Sequence, residues 1–70
     1  GAEVIVFLRQ EAARRFSVGL RSATRVDVGQ LAHCLGGGGH ARAAGCTLSG
    51  SLGEVRRAVL AGLAPLLGPA

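Results

Sequence analysis

The segment DVGQLAHCLGGGGHARAAG, residues 27–45, joins a helix with a readable start and end to a run of four glycines. Asp27 and Gln30 have the spacing of a capping box. The apolar residues fall at i, i+3, i+4 and i+7, the spacing of one helix face: Val28, Leu31, Ala32 and Leu35. Gly36 stands where a left-handed C-terminal cap is expected. The segment predicts a helix over residues 27–35, a glycine loop, and a further helical turn beginning in HARAA.

Two strand patterns precede this helix. The run EVIVFL, residues 3–8, is continuously apolar and β-branched, which predicts a strand buried on both faces. The following RQEAAR is polar and predicts the turn. The segment RFSVGLRS, residues 15–22, alternates, so Phe16, Val18 and Leu20 share one face while Arg15, Ser17, Gly19 and Arg21 share the other. Together the two runs predict an antiparallel hairpin.

A strand and a helix follow the glycine run. CTLSG, residues 46–50, predicts a short strand, and Ser51 with Glu54 forms a second capping box. A buried stripe follows at helical spacing: Val55, Ala58, Val59, Gly62 and Leu63. Pro65 is expected to end or bend this helix within a turn, and Leu60 and Leu67 lie off the stripe. The predicted fold is α+β: a small mixed or antiparallel sheet packed by two helices, with a Gly-rich loop, as one domain over residues 1–70.

Composition restricts the class of protein. The chain has 70 residues, of which 49% are hydrophobic, enough for one small packed domain. Its net charge of +4 comes from eight arginines against four acidic residues, which is weak support for a nucleic-acid partner. Neither a membrane-spanning run nor a signal-peptide pattern occurs, so a cytoplasmic location without a membrane partner is expected. The absence of an initiator Met suggests a fragment of a longer chain.

The cysteines and histidines do not have the spacing of a metal site. Cys34 and Cys46 are two isolated cysteines, not a disulfide framework. With His33 and His40 they match no structural zinc pattern, and adjacent helical residues point about 100° apart. We expect two reduced cysteines and no metal bound by this chain.

The glycine run has two interpretations. Glycines that lead into a helix N-terminus expose backbone N–H groups that bind phosphate, but glycine-rich segments also form plain tight turns. Arg21, beside the small residues Ser17 and Gly19, and His40, at the mouth of the loop, are candidate ligand contacts. Alternatively, Arg21 is an ordinary solvated surface residue, and His40 caps a nearby backbone group. Arg42 lies inside the loop motif, and the other arginines are expected to be solubilising.

The chain resembles the DHH-associated C-terminal domain of DHH-family phosphoesterases. The match is ordered along the chain: Leu20-Arg21-Ser22, Val26-Asp27-Val28, Gly37-Gly38-Gly39-His40 and Ala43-Ala44-Gly45. It is most similar to the bacterial oligoribonuclease and pAp-phosphatase (nanoRNase) branch. Gly19 stands where that branch has a serine, so no side-chain hydroxyl is present at this position.

The resemblance implies a role in substrate binding. Arg21 and Ser22 would contact phosphate or sugar, Gly37, Gly38 and Gly39 would admit the substrate to the backbone, and His40 and Arg42 would lie beside it. The Gly38→Ala substitution adds a methyl group at this position. It is expected to disturb both the fold and binding if Gly38 has a positive φ or if phosphate contacts its backbone. Catalytic residues and two divalent cations, typically manganese, would belong to a separate N-terminal domain acting in cis. No hydrolysis is expected from this chain alone.

The resemblance is compatible with several substrates and with several kinds of related protein. Short RNA, pAp and linear or cyclic dinucleotides are all candidate substrates, and a homodimer of the full-length protein is allowed. Related domains occur in single-strand-specific exonucleases. Another occurs in alanyl-tRNA synthetase, where it is an RNA-binding and dimerisation module. A third class, a purely structural domain, would make the glycine loop only a turn.

Overall fold

Four strands and two helices make up the computed structural model, which describes residues 4–67. The strands form one antiparallel sheet in the order β1-β2-β4-β3. This confirms the predicted α+β class with two helices. The elements in chain order are β1 (Val4–Ala12), β2 (Arg15–Ser22), α1 (Val28–Cys34), β3 (Gly38–His40), β4 (Ala43–Ser49) and α2 (Leu52–Leu67).

Both helices pack on the same face of the sheet. The inward side chains of β2 are Phe16, Val18 and Leu20, as their alternation predicts, and all are buried. They form one cluster with the apolar stripes of the helices: Val28, Leu31 and Ala32 from α1, and Val55, Val59 and Leu63 from α2. Ala58, predicted in the stripe of α2, is exposed. The opposite sheet face has no helix over it within residues 4–67.

Strand β1 differs from its prediction on two points. It is an edge strand that pairs with β2 along one side, and Ile5 and Phe7 are 49% and 52% exposed. The expectation of burial on both faces is therefore wrong, because the helices cover only the face that carries Val4, Val6 and Leu8. The strand also continues to Ala12 through the polar segment predicted as a turn, with an irregularity between residues 10 and 12. Polar side chains are tolerated there because the end of an edge strand faces water.

Helix α1 has the predicted caps at both ends. The Asp27 carboxylate accepts a hydrogen bond from the Gln30 N–H at 3.0 Å. At the other end Gly36 has a φ of +90°, and its N–H donates to the His33 carbonyl at 3.1 Å. The Gly37 N–H donates to the Ala32 carbonyl at 2.7 Å, which completes a Schellman motif. The first two glycines of the run thus end the helix.

The chain after the glycines forms a hairpin instead of the predicted helical turn. Strand β3 pairs with the start of β4, with His40 opposite Ala43 and Gly38 opposite Gly45. The helical prediction for HARAA is wrong, and β4 begins three residues before the predicted strand. The reason is that β4 lies between β2 and β3 and forms ladder hydrogen bonds on both edges. This pairing outweighs the helix preference of its alanines.

The structure requires glycine at some positions of the run and not at others. A Cβ on Gly37 would lie 2.6 Å from the Cβ of Cys46, and a Cβ on Gly39 would lie 2.5 Å from the Cα of Ala44. Gly39 also has a φ of +142°. A Cβ on Gly38 would meet nothing within 4 Å, and its φ is not positive. Of the two conditions under which Gly38→Ala was expected to be disruptive, positive φ is therefore not met, and contact with phosphate stays a prediction.

Helix α2 begins with a complete capping box. The Ser51 N–H donates to the Glu54 carboxylate at 2.8 Å, and the Glu54 N–H donates to the Ser51 hydroxyl at 3.2 Å. Arg14, in the β1–β2 turn, also donates to that carboxylate at 3.0 Å. The helix continues through Pro65 to Leu67, and Leu60 and Leu67 are exposed. At Gly62 a Cβ would lie 2.6 Å from Leu31, so glycine permits the close contact of the two helices.

Alanine substitutions in the glycine run should distinguish the glycines that pack against β4 from the glycine whose backbone is open to solvent. Gly37→Ala and Gly39→Ala should each lower the free energy of unfolding by about 1 to 3 kcal/mol, because each added methyl group meets β4. Gly38→Ala is the matched control and should change it by no more than about 0.5 kcal/mol. Urea unfolding followed by circular dichroism measures all three. A Gly38→Ala variant as unstable as Gly39→Ala would contradict this assignment.

The capping box of α2 predicts a pH-dependent contribution to stability. The pKa of Glu54 is lowered, first by its hydrogen bonds with Ser51 and then by Arg14. A lowered carboxyl pKa stabilises the fold above the ordinary value of about 4.3 and ceases to do so as the pH falls through the lowered pKa. Glu54→Gln should therefore be less stable than wild type at pH 7 but not at strongly acidic pH. Glu11→Gln, which removes a strand carboxylate paired with Arg9 but no helix cap, is the control for urea unfolding at both pH values. An equal deficit at the two pH values would contradict the role of the charge.

Candidate nucleotide-binding face

The helix-free face of the sheet, called the open face below, carries a transverse row that includes two candidate binding side chains, Arg21 and His40. Arg21 on β2 pairs with Ile5 on β1 and with Ala43 on β4, and Ala43 pairs with His40 on β3. Directly paired residues of antiparallel strands project from the same face. These four residues, the basic row, therefore cross the whole sheet. Strands β2 and β3 are separated by β4, which places Arg21 and His40 about 10 Å apart at the backbone.

A second row on the open face has almost no side chains. Phe7 pairs with Gly19, Gly19 with Gly45, and Gly45 with Gly38. The three glycines, called the glycine row, leave bare backbone between the Phe7 side chain and the β3 edge. The Phe7 ring lies over the first of them, since a Cβ on Gly19 would be 3.3 Å from Phe7 Cδ2. The open face thus has a shallow floor beside the basic row.

Arg21 forms no ion pair with an acidic side chain among residues 4–67. Its Nη1 donates to the Leu20 carbonyl at 3.0 Å, which leaves its other N–H donors available. Over the described part of the chain, the ion pairs are Arg9–Glu11 and Arg14–Glu54, and neither lies in the basic row. An arginine in this state can donate to the oxygens of an anion in the forked geometry of its guanidinium.

His40 is held through its backbone. It ends β3 with an exposed side chain, and its carbonyl group lies against α1. A Cβ on Gly29 would lie 2.9 Å from both the carbonyl carbon and oxygen of His40. Gly29 therefore allows this contact. Gly29 was not among the residues predicted from the sequence to shape the site. The signal was a glycine within the first turn of a helix, where it costs about 1 kcal/mol relative to alanine.

The tip of the β3–β4 hairpin is tied to the rest of the domain. The Ala41 carbonyl accepts from the Val28 N–H at 3.0 Å, and the Arg42 carbonyl accepts from the Ser22 N–H at 2.9 Å. The first of these bonds satisfies an N–H at the start of α1 that has no partner within the helix. Arg42 itself is exposed in the turn next to the basic row. The hairpin that carries His40 and Arg42 is therefore a fixed part of the fold.

Ser22 does not join Arg21 on the open face. It follows Phe16, Val18 and Leu20 in the inward alternation of β2 and is 8% exposed. Its hydroxyl accepts from the Thr24 N–H at 3.3 Å and lies 3.3 Å from the Thr24 carbonyl. Through these contacts with Thr24, the Ser22 hydroxyl stabilises the turn that leads into α1.

The glycines at positions 37–39 have two different roles in the structure. Gly37 and Gly39 use their missing side chains to pack against β4, whereas Gly38 is open and belongs to the glycine row. No helix N-terminus follows the run, so the predicted phosphate cradle of glycines and helix dipole is not formed. Of the predicted binding residues, the structure brings together Arg21, Gly38 and His40 on one face, with Arg42 at its border.

The cysteines lie apart. Cys34 is exposed on α1, and Cys46 is buried in β4, where burial raises the pKa of its thiol. Within residues 4–67, no three His, Cys, Asp or Glu side chains come together in a way that would hold a metal ion. Neither of the described helices is long and apolar enough to cross a membrane.

Comparison with known proteins assigns the domain type. No curated protein matches the chain at a significant level. The family model of the DHHA1 domain matches residues 1–63, which is nearly the whole sequence. The match includes β1 through most of α2 and therefore all of the basic and glycine rows. The chain belongs to the DHHA1 domain family.

Proposed function

We propose that this domain binds the phosphate of a nucleotide substrate for a metal-dependent DHH phosphoesterase. The observation that carries the proposal is the register of the sheet, which aligns Arg21 and His40 through Ala43 on the open face. The manganese-dependent chemistry belongs to a catalytic domain in cis, whose bound metals would activate water. The described residues of this chain contribute binding and orientation.

The basic row suits a phosphate for electrostatic reasons. Arg21 offers a guanidinium fork without a carboxylate partner among the described residues, and His40 offers ring nitrogens from the neighbouring edge strand. Charge-assisted hydrogen bonds to phosphate are stronger than neutral ones. The small Ala43 side chain between them leaves space for the anion. Arg42 adds positive charge at the border of the face, where it draws the substrate in over a longer range.

The shape of the face supports a short, unpaired substrate. The glycine row is shallow and open at the β3 edge, so a chain of nucleotides can extend past it. Short RNA, pAp and dinucleotides all present a phosphate beside a nucleoside and fit this description. We propose this group as the substrate class, consistent with the oligoribonuclease and pAp-phosphatase branch that the motif resembles.

Titration with adenosine 5′-monophosphate tests the binding face directly. The backbone amide signals of Arg21, Ala43 and His40 should move first, because they lie at the phosphate. Binding should weaken with added salt, since exposed charges are screened over about 10 Å at 0.1 M. Arg15→Ala is the matched control for Arg21→Ala, because both arginines are exposed on the open face of β2. Loss of binding in both variants alike, or shifts confined to Arg56 and Arg57 on α2, would contradict the proposal.

A substitution of His40 tests the role in catalysis when made in the full-length enzyme. His40→Ala should leave the melting temperature near that of wild type, because the His40 side chain is exposed at the end of the edge strand β3. Hydrolysis of a short oligoribonucleotide with manganese should fall by roughly ten- to a thousandfold if the ring contacts charge developing in the transition state. His33→Ala, an exposed histidine on α1, should keep full activity. Lowered melting with normal turnover would make His40 a structural residue.

A further inference from the structure

The open face carries an exposed aromatic side chain that phosphate binding leaves unexplained. The chain contains two phenylalanines and no Trp or Tyr. Phe16 is in the core at 6% exposure, whereas Phe7 is 52% exposed. Of the two phenylalanines, Phe7 is thus the exposed one, and it lies on the face that carries Arg21.

The ring of Phe7 is positioned by the glycine opposite to it. Two of its ring carbons and its Cβ lie 3.3 to 3.8 Å from the point where a Gly19 Cβ would be. The missing side chain of Gly19 lets the ring lie down over β2 toward the middle of the sheet. Beyond it, Gly45 and Gly38 leave the floor bare. A flat molecule can therefore rest on the backbone of the glycine row with one edge or face against the Phe7 ring.

Along β2, Arg21 lies about one nucleotide length from the glycine that the Phe7 ring covers. Gly19 and Arg21 are successive same-face residues of β2, about 6.7 Å apart along the strand. This is comparable with the distance between the base and the 5′-phosphate of a nucleotide. A phosphate at Arg21 and His40 would accordingly place its own base near Phe7 and the glycine row.

We propose that Phe7 is a nucleobase-stacking residue and that the glycine row is the floor on which the base lies. The inference rests on the proposed phosphate-binding function and adds that the domain recognises the base as well as the phosphate. Stacking on an aromatic ring is tolerant of base identity because every base has a π-face. The site would therefore accept nucleotides of any sequence and discriminate against sugar phosphates without a base.

The charge around Phe7 favours a nucleotide over a protein partner. Its apolar neighbour on the face is Ile5, with Arg21 opposite Ile5, while Arg9 on the other side of Phe7 is ion-paired with Glu11. The cores of protein interfaces are depleted in charge and extend over many residues, whereas this patch consists of two apolar side chains beside the Arg21 guanidinium. A nucleotide combines an apolar ring with an anion and matches both parts of the surface.

A tryptophan substitution gives a direct readout of stacking. In the Phe7→Trp variant all tryptophan emission comes from position 7, because the wild-type chain has none. Adenosine 5′-monophosphate should quench this emission, whereas ribose 5-phosphate, which has the same phosphate and sugar but no base, should not. Leu60→Trp is the matched control, since Leu60 on α2 is also 52% exposed, and adenosine 5′-monophosphate should leave its emission unchanged.

Affinity measurements on Phe7→Ala complete the test. Titration by NMR should show affinity for adenosine 5′-monophosphate reduced by about five- to a hundredfold, with affinity for ribose 5-phosphate unchanged. Equal binding of both ligands to wild type, dependent on Arg21 and indifferent to Phe7→Ala, would overturn the stacking inference and leave the phosphate site intact. Binding of neither ligand would instead refute the proposed function. A wild-type dimer in sedimentation that Phe7→Ala dissociates would assign the ring to a second copy of the chain and overturn the inference.

Discussion

The pairing of β4 on both of its edges is the constraint on which the fold and the candidate site depend. It joins the β1–β2 hairpin to β3, and both the basic row and the glycine row cross it. A slip of one residue would turn Ala43 and Gly45 toward the helices and Ala44 and Cys46 toward the open face. Burial of Ala44 and Cys46 in the core opposes that slip. The packing of two small inward residues thus maintains the alignment of Arg21 with His40.

Local patterns in the sequence were enough where each element depends on its own residues. The alternation of β2 identified the buried side chains and placed Arg21 on the opposite face. The capping residues Asp27, Ser51 and Glu54 marked the starts of both helices, and their hydrogen bonds are present. Gly36 marked the end of α1 for the same reason. These features depend on contacts within about four residues, which a sequence displays directly.

Features that depend on distant partners were not predictable in this way. The run at Val4–Leu8 is equally apolar for a central strand and an edge strand, so the exposure of Phe7 could not be read from it. The alanines of HARAA favour a helix locally but lie in a hairpin because β2 supplies the second partner of β4. Likewise, four identical glycines gave no sign that Gly37 and Gly39 face β4 while Gly38 faces open space. Only the three-dimensional contacts distinguish them.

The position of β4 also has a consequence for the order of folding. The β1–β2 hairpin and α1 form from neighbouring residues, whereas the β2–β4 ladder closes a loop that contains the whole of α1. Closure of such a loop costs chain entropy before its contacts form, so it belongs to the later stages of folding. Arg21 and His40 lie on opposite sides of that closure. Chains arrested before this step have both residues but no common face, so the proposed ligand binding would require completed folding.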